Sequence, residues 1–145
     1  MNAIRGTAAY ARGAGAYARV GVESGVMSAS PHQLIVMLFD GALASIRAAR
    51  LHMQANNVAE KGKAISKALD IVNNGLLAAL DAERGGELAQ RLASLYDYIA
   101  RLLLGANLRN DMQSLDEAYR LLEDLSSAWQ EIGDRTGAVR SADTE

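Results

Sequence analysis

The chain has 145 residues, of which 50% are hydrophobic, 22% are charged and 5% are aromatic, with one proline and no cysteine. This length predicts one domain, and the missing cysteine excludes a disulfide framework, a thiol nucleophile and a cysteine-ligated zinc site. Fifteen basic and seventeen acidic residues give a net charge of -2, which argues against the basic surface that nucleic-acid binders carry.

Residues 1–29 are rich in glycine, alanine and serine and show no sustained apolar period, which is typical of a flexible arm. The arm contains a repeat, Ala-Tyr-Ala-Arg, that begins at Ala9 and again at Ala16. Because seven residues make about two helical turns, Tyr10 and Tyr17 would share one face if the arm is partly helical. The alternative is an unstructured leader that carries two tyrosines by chance.

The sequence Ser30-Pro31-His32-Gln33 predicts the start of the first helix. A serine N-cap, a proline at the first helical position and a glutamine at the third make a capping box with a preset backbone angle. Behind it, apolar residues recur at alternating spacings of four and three, which predicts one apolar seam on a helix over about 31–54. The seam residues are Ile35, Phe39, Ala42, Ile46, Ala49 and Met53.

The same alternation predicts three further helices, at about 58–83, 87–107 and 112–132. The links between them contain glycine or asparagine, and Gly133 is expected to end the last helix. Opposite charges four residues apart predict ion pairs on the polar faces: Glu87 with Arg91, Asp97 with Arg101, and Asp116 with Arg120.

Four helices of this length with short links predict an all-α fold, in which residues 30–133 form an antiparallel up-and-down four-helix bundle. The N-terminal arm is then flexible or loosely docked on the bundle, and residues 134–145 form a disordered tail. No apolar segment approaches the roughly 18 residues of a membrane span, and the N-terminus lacks the apolar stretch of a signal peptide. A cytoplasmic protein without membrane insertion is therefore expected.

Two predicted helices carry more apolar residues than the roughly three in seven that a bundle needs. Leu34 to Phe39 is apolar on every side of the first helix, so that Leu34, Met37 and Leu38 flank its seam. The third helix has a similar excess, in which Tyr96, Leu103 and Leu104 lie beside the seam. Such a surplus predicts a partner surface, and the alternative is a wide core stripe with ordinary exposed leucines.

The residues offer no catalytic, metal or cofactor site. His32 and His52 have no carboxylate or second histidine at ligand spacing, and phosphate-loop, nucleophile-elbow and dinucleotide-binding motifs are missing. Asp81, Glu83 and Glu87 are interpreted as a solvated acidic corner. We expect neither enzymatic activity nor a small-molecule substrate.

The ordered set of residues resembles the flagellar export chaperone FliS family over residues 29–132. The resemblance is strongest at Leu80-Asp81 and Gly85-Gly86-Glu87-Leu88-Ala89. It further rests on Ala29-Ser30-Pro31, Leu34, Leu38, Phe39, Gly41-Ala42-Leu43, Ala68, Ile71, Leu92, Leu95-Tyr96-Asp97-Tyr98, Ala106-Asn107, Leu122-Glu123-Asp124-Leu125 and Ala128-Trp129.

The resemblance implies a cytoplasmic helical bundle, without cofactor or catalysis, that binds the disordered C-terminal region of flagellin. It also implies that the chaperone prevents premature polymerisation, aids delivery to the flagellar type III export apparatus and contacts the export gate when loaded. Two residues depart from the family pattern, since Phe39 stands where tyrosine is common and Ser126 where arginine is common.

We therefore expect Leu34, Met37, Leu38, Tyr96 and Leu103 to line a flagellin groove, because their number exceeds what the core needs. The resemblance also implies an arm that covers this surface, with Tyr10 or Tyr17 as the cap. Two alternatives stay open at this point. One is a histidine phosphotransfer bundle, although no lysine follows His52 before Lys61, and the other is a dimer that buries the surplus apolar surface.

Overall fold

The computed structural model describes residues 29–80 and 82–143, with side chains described over 29–80 and 85–133. These residues form α1 (Pro31–Gln54), α2 (Val58–Asp70), a π-helical segment that continues α2 (Ile71–Leu77), α3 (Ala82–Arg109) and α4 (Met112–Asp143), and no strand. The all-α prediction is confirmed over this part of the chain. Tyr10 and Tyr17 lie outside the described residues.

The predicted capping box begins α1. The hydroxyl of Ser30 accepts a hydrogen bond from the Gln33 amide at 3.2 Å, and the Ser30 amide donates to Gln33 Oε1 at 2.9 Å. Pro31 occupies the first helical position, where no amide hydrogen is needed. The helix ends before Ala55, and Asn56 then turns the chain with a φ of 59°.

Short links join helices that lie side by side in an antiparallel bundle. α1 packs against α2 and α4, and α3 packs against the same two helices, so α1 and α3 occupy opposite corners. His32 at the start of α1 stacks on Trp129 late in α4, whereas Arg50 near the end of α1 pairs with Asp116 early in α4. These two contacts fix α1 and α4 in opposite directions, as the predicted topology requires.

The core follows the predicted seam of α1. Its residues from Phe39 to Met53 are buried, and Ile35 packs against the cluster from the edge. Each large apolar side chain that is fully buried contributes about 1.5–3 kcal/mol relative to an exposed one. The largest such side chains are Phe39, Ile46, Ile65, Ile71, Leu76, Ile99, Leu103, Leu115 and Leu122.

The three helices after α1 each differ from the prediction. The second helix was expected to run as one α-helix to residue 83, but its regular part ends at Asp70 and the π-helical segment follows. α3 contains a break at Gly86, where φ is 55° and ψ is -128°, a conformation open to glycine. α4 continues past Gly133 to Asp143, because a single glycine costs only about 1 kcal/mol inside a helix and does not by itself end it.

A buried lysine fixes the corner between α3 and α4. Lys61 of α2 is 4% exposed, and its ammonium donates to the Asn107 carbonyl at 3.1 Å and to Asn110 Oδ1 at 3.0 Å. The last carbonyls of a helix lack partners within that helix and carry partial negative charge, so the cation satisfies them. Asp111 directly precedes α4, and its carboxylate accepts hydrogen bonds from the Gln113 and Ser114 amides.

Candidate partner-binding surface

A second apolar column runs along α1 beside the one that forms the core. Its members follow each other at spacings of three, four, three, four and three, so they lie on one face of the helix. We call this column the outer seam; it consists of Leu34, Met37, Gly41, Ala44, Ala48 and Leu51. At about 1.5 Å per residue it extends over roughly 25 Å, and none of its residues is charged.

The outer seam is accessible along its whole length. Leu34 and Met37 are half-buried and lie outside the hydrophobic core cluster, Ala44 is exposed, and Leu51 is 66% exposed. The core of the bundle is closed without these side chains. They therefore form an apolar surface that a partner could cover.

Glycines bring the π-helical segment close to α1 beside this seam. A Cβ added at Gly41 would lie 3.3 Å from Ile71 Cδ1, and one added at Gly75 would lie 3.2 Å from both terminal carbons of Leu38. Because each glycine faces a large side chain, the two helices approach closely without a void. Ile71 and Leu38 are buried in this contact and separate the outer seam from the core.

The five predicted groove residues divide into two groups. Leu34 and Met37 lie in the outer seam, whereas Leu38, Tyr96 and Leu103 are 6%, 4% and 0% exposed and belong to the core cluster. Burial also raises the pKa of Tyr96 to about 12. A direct binding role for the three buried residues stays a prediction, and in the described state their side chains are held by the bundle itself.

Sequence reasoning missed Ala44, Ala48 and Leu51 as members of the surface. The signal in the sequence that could have found them is a second set of apolar residues on the first helix, spaced alternately three and four residues apart. Alanine makes such a column hard to recognise, because its high helix propensity makes it common on every face of a helix. Only the exposure of these positions distinguishes the outer seam from the core seam.

The start of α1, which carries Leu34 and Met37, is fastened to α4. The Trp129 indole donates a hydrogen bond to the His32 carbonyl at 3.1 Å, and the two rings stack with centroids 4.9 Å apart. Gly133 leaves room for this arrangement, since a Cβ there would collide with the His32 ring. The outer seam therefore begins on a helix turn whose position is fixed.

A polar cleft borders the other end of the seam, between α1 and α4. Arg50 donates to Asp116 at 2.9 Å, and this contact raises the pKa of Arg50. The predicted ion pair between Asp116 and Arg120 is wrong, because the carboxylate faces Arg50 of the neighbouring helix. The other two predicted pairs, Glu87 with Arg91 and Asp97 with Arg101, are confirmed.

Among the side chains that the structure describes, over residues 29–80 and 85–133, no group of three or more histidine, aspartate or glutamate side chains is arranged to hold a metal ion. In the same part of the chain, no helix combines the length and the apolar character that crossing a membrane requires.

Comparison with known proteins gives a consistent result. The family model described as flagellar protein FliS matches residues 13–136. The chain is 54% identical over 131 residues to flagellar secretion chaperone FliS of Salmonella typhimurium, covering 90% of this chain and 97% of that protein. It is 50% identical over 121 residues to the protein of that name from Escherichia coli, covering 83% and 89% of the two chains. With flagellar secretion chaperone FliSB of Pseudomonas aeruginosa it shares 44% identity over 116 residues, covering 80% and 91%.

Proposed function

The chain belongs to the FliS family of flagellar secretion chaperones, and from this premise we propose that it binds the disordered C-terminal region of flagellin. In this proposal the complex forms in the cytoplasm, prevents premature polymerisation and aids delivery to the flagellar type III export apparatus. The loaded chaperone then contacts the export gate. The protein acts by binding, without a chemical step.

The outer seam of α1 is the observation that carries this proposal. A disordered segment that folds on binding must gain enough apolar contact to offset its loss of conformational entropy. Amphipathic helices do so by placing one apolar face in a groove. An uncharged column from Leu34 to Leu51, on a bundle whose core is already closed, supplies an apolar surface for such a helix.

The N-terminal arm is proposed to cover the same surface when flagellin is absent, with Tyr10 or Tyr17 as the cap. Ala29, the first described residue, lies directly before the capped start of α1 and little more than one turn from Leu34. The arm is therefore attached beside Leu34, at the end of the outer seam where α1 begins. Competition by the arm predicts that its removal strengthens flagellin binding.

The test uses a flagellin C-terminal peptide and isothermal titration calorimetry. Ala44→Glu places a carboxylate at the centre of the outer seam, where bound flagellin would remove it from water. We expect the Kd to rise at least about tenfold with little change in melting temperature, because Ala44 is exposed and glutamate is a good helix former. Ala128→Glu is the matched control, since Ala128 is an exposed alanine on α4.

The outcomes separate the parts of the proposal. If Ala44→Glu and Ala128→Glu bind as tightly as the unaltered chain, flagellin does not use the outer seam. If the unaltered chain does not bind the peptide at all, the proposed function is wrong. A variant that begins at Ser28 is expected to bind more tightly, and an unchanged affinity would contradict the covering arm.

A further inference from the structure

The outer seam of α1 has the spacing of a coiled-coil seam. Its residues alternate at three and four positions, which is the pattern of positions a and d in the seven-residue coiled-coil repeat. With Leu34 at position a, the seam fills a and d of three successive repeats and ends with Leu51 at d. In a coiled coil, the residues that border the seam at positions e and g determine which helix is accepted as a partner. The proposed function so far gives these bordering residues no role.

The border of the outer seam on the side of α2 is closed by the bundle. Its e positions are Leu38, Ser45 and His52. Leu38 and Ser45 are each 6% exposed, and Leu38 meets the π-helical segment at Gly75. The Ser45 hydroxyl donates to the Gly41 carbonyl of its own helix at 2.9 Å. This border therefore offers a partner little beyond the half-buried His52.

The opposite border of the outer seam is polar and open to solvent. Its g positions are Gln33, Asp40, Arg47 and Gln54, and all four residues are exposed. Two of them are charged, and their charges are opposite. Asp40 and Arg47 are one repeat apart, which is about 10.5 Å along the helix. A helix that lies on the outer seam therefore has one acidic and one basic side chain of α1 along the same flank.

Both charges are available to a partner. Among the described residues, none forms a hydrogen bond or an ion pair with Asp40. Arg47 donates from Nη1 to the Tyr119 hydroxyl at 2.9 Å. A neutral hydroxyl does not cancel the positive charge, and a guanidinium has five N–H donors, so most of them stay unused. One turn later, by contrast, the charge of Arg50 is balanced by Asp116.

We propose that Asp40 and Arg47 select the helix that binds the outer seam and fix its register. This inference rests on the proposed function, because it takes the bound helix to be a segment of flagellin. The partner that fits is an amphipathic helix with its own apolar seam of alternating three and four spacing. A basic residue on its flank lies opposite Asp40, and an acidic residue one repeat away lies opposite Arg47.

The opposite signs of the two charges give the surface its selectivity. If the bound helix slips by one repeat, its basic residue meets Arg47 or its acidic residue meets Asp40, and like charges at an interface cost affinity. A border of one sign would accept both registers equally. The outer seam supplies the apolar contact, and the border then distinguishes the correct helix and register from other apolar helices.

The experiment inverts both charges and leaves the net charge unchanged. The double variant Asp40→Lys with Arg47→Glu introduces two good helix formers at exposed positions, so it is expected to fold. Isothermal titration calorimetry with the flagellin C-terminal peptide should give a Kd about tenfold higher, because two attractive contacts become repulsive and each exposed contact contributes modestly. In about 0.5 M NaCl most of this difference should disappear, since salt screens exposed charges.

The matched control makes the same exchange on α3. Asp97 and Arg101 are exposed and form an ion pair one turn apart, on the helix at the opposite corner of the bundle from α1. Asp97→Lys with Arg101→Glu reverses this pair and also keeps the net charge. We expect the control to bind the peptide as tightly as the unaltered chain, and circular dichroism melts of both double variants check that they are folded.

The outcomes separate this inference from the proposed function. Equal affinity of the unaltered chain and the Asp40 and Arg47 variant overturns the selection by charge and leaves the proposed function intact. An equal loss of affinity in the α3 control also overturns it, because the effect then does not belong to the border of the outer seam. A loss that high salt does not reduce overturns it as well, since the contact is then not electrostatic. If the unaltered chain does not bind the peptide, the proposed function itself fails.

Discussion

α1 carries two apolar seams with almost the same spacing, but the fold buries one of them and leaves the other accessible. The inner seam, which is the core-forming seam from Ile35 to Met53 described above, faces α2 and α4 and is almost entirely buried. The residues of the outer seam, from Leu34 to Leu51, each precede a residue of the inner seam by one or two positions and stay accessible. A shift of one or two residues turns a helix position by about 100° or 200°, and either turn is enough to move it from the core to the surface.

The difference between the seams shows that spacing alone does not assign a role. What decides burial is the neighbouring helix, and here the deciding contacts are those of Ile71 and Gly75 with α1. Leu38 lies on the inner side of this contact, whereas Leu34, one turn earlier, lies on the outer side. The boundary between folding surface and binding surface therefore runs between these two leucines.

The largest expected effect comes from a charge placed on either side of this boundary. Leu38→Asp removes a buried side chain and puts a carboxylate beside Gly75, which should lower the free energy of unfolding by roughly 4 kcal/mol or more. Leu34→Asp should cost about 1 kcal/mol or less, because the position is partly open to water. Urea denaturation followed by circular dichroism measures both changes.

The same pair of variants also tests the binding surface. Leu34→Asp should weaken flagellin binding while the protein stays folded, whereas Leu38→Asp should lose binding because the fold is lost. Similar stabilities for the two variants would show that the boundary is misplaced. A folded Leu38→Asp protein with specifically weakened binding would instead support Leu38 as a groove residue.

The second effect concerns Tyr96, a predicted groove residue that the bundle buries. Burial raises its pKa to about 12, whereas the unfolded chain should ionise near the ordinary value of about 10. Above pH 10 the unfolded state therefore binds fewer protons than the folded state, so stability falls as the pH rises and levels off above pH 12. A gap of two pKa units corresponds to about 2–3 kcal/mol.

Tyr96→Phe isolates this contribution, since phenylalanine keeps the ring and cannot ionise. The difference in unfolding free energy between the two proteins should be constant below pH 10 and should change by about 2–3 kcal/mol between pH 10 and pH 12. Urea titrations at a series of alkaline pH values measure it. Parallel profiles for the two proteins would mean that the Tyr96 hydroxyl is open to solvent rather than buried in the core.

The sequence predicts local structure better than it predicts partners. The first helix start follows from Ser30, Pro31 and Gln33 because a capping box needs only neighbouring residues. The partner of Asp116 could not be predicted in this way, since Arg50 is 66 residues away and becomes a neighbour only in the folded bundle.

The candidate site shows the same limit. The surplus of apolar residues on the first helix correctly draws attention to Leu34 and Met37, but it cannot separate them from Leu38. That separation depends on the close approach of the π-helical segment, which in turn depends on Gly41 and Gly75. Neither the segment nor the approach has a signal in the spacing of apolar residues.

The smallest effect tests whether the start of the outer seam needs its own anchor. Ser30→Ala removes the acceptor of the Gln33 amide and should cost about 1 kcal/mol of stability. Because the lost bond lies at the first turn, hydrogen exchange should rise at the amides of Gln33 and Leu34 and stay unchanged around Ile46 in the middle of α1. Ser30→Asp is the control, since aspartate caps helices as well as serine. If Ser30→Ala leaves the exchange of the first turn unchanged, the stack of His32 on Trp129 alone holds Leu34 in place.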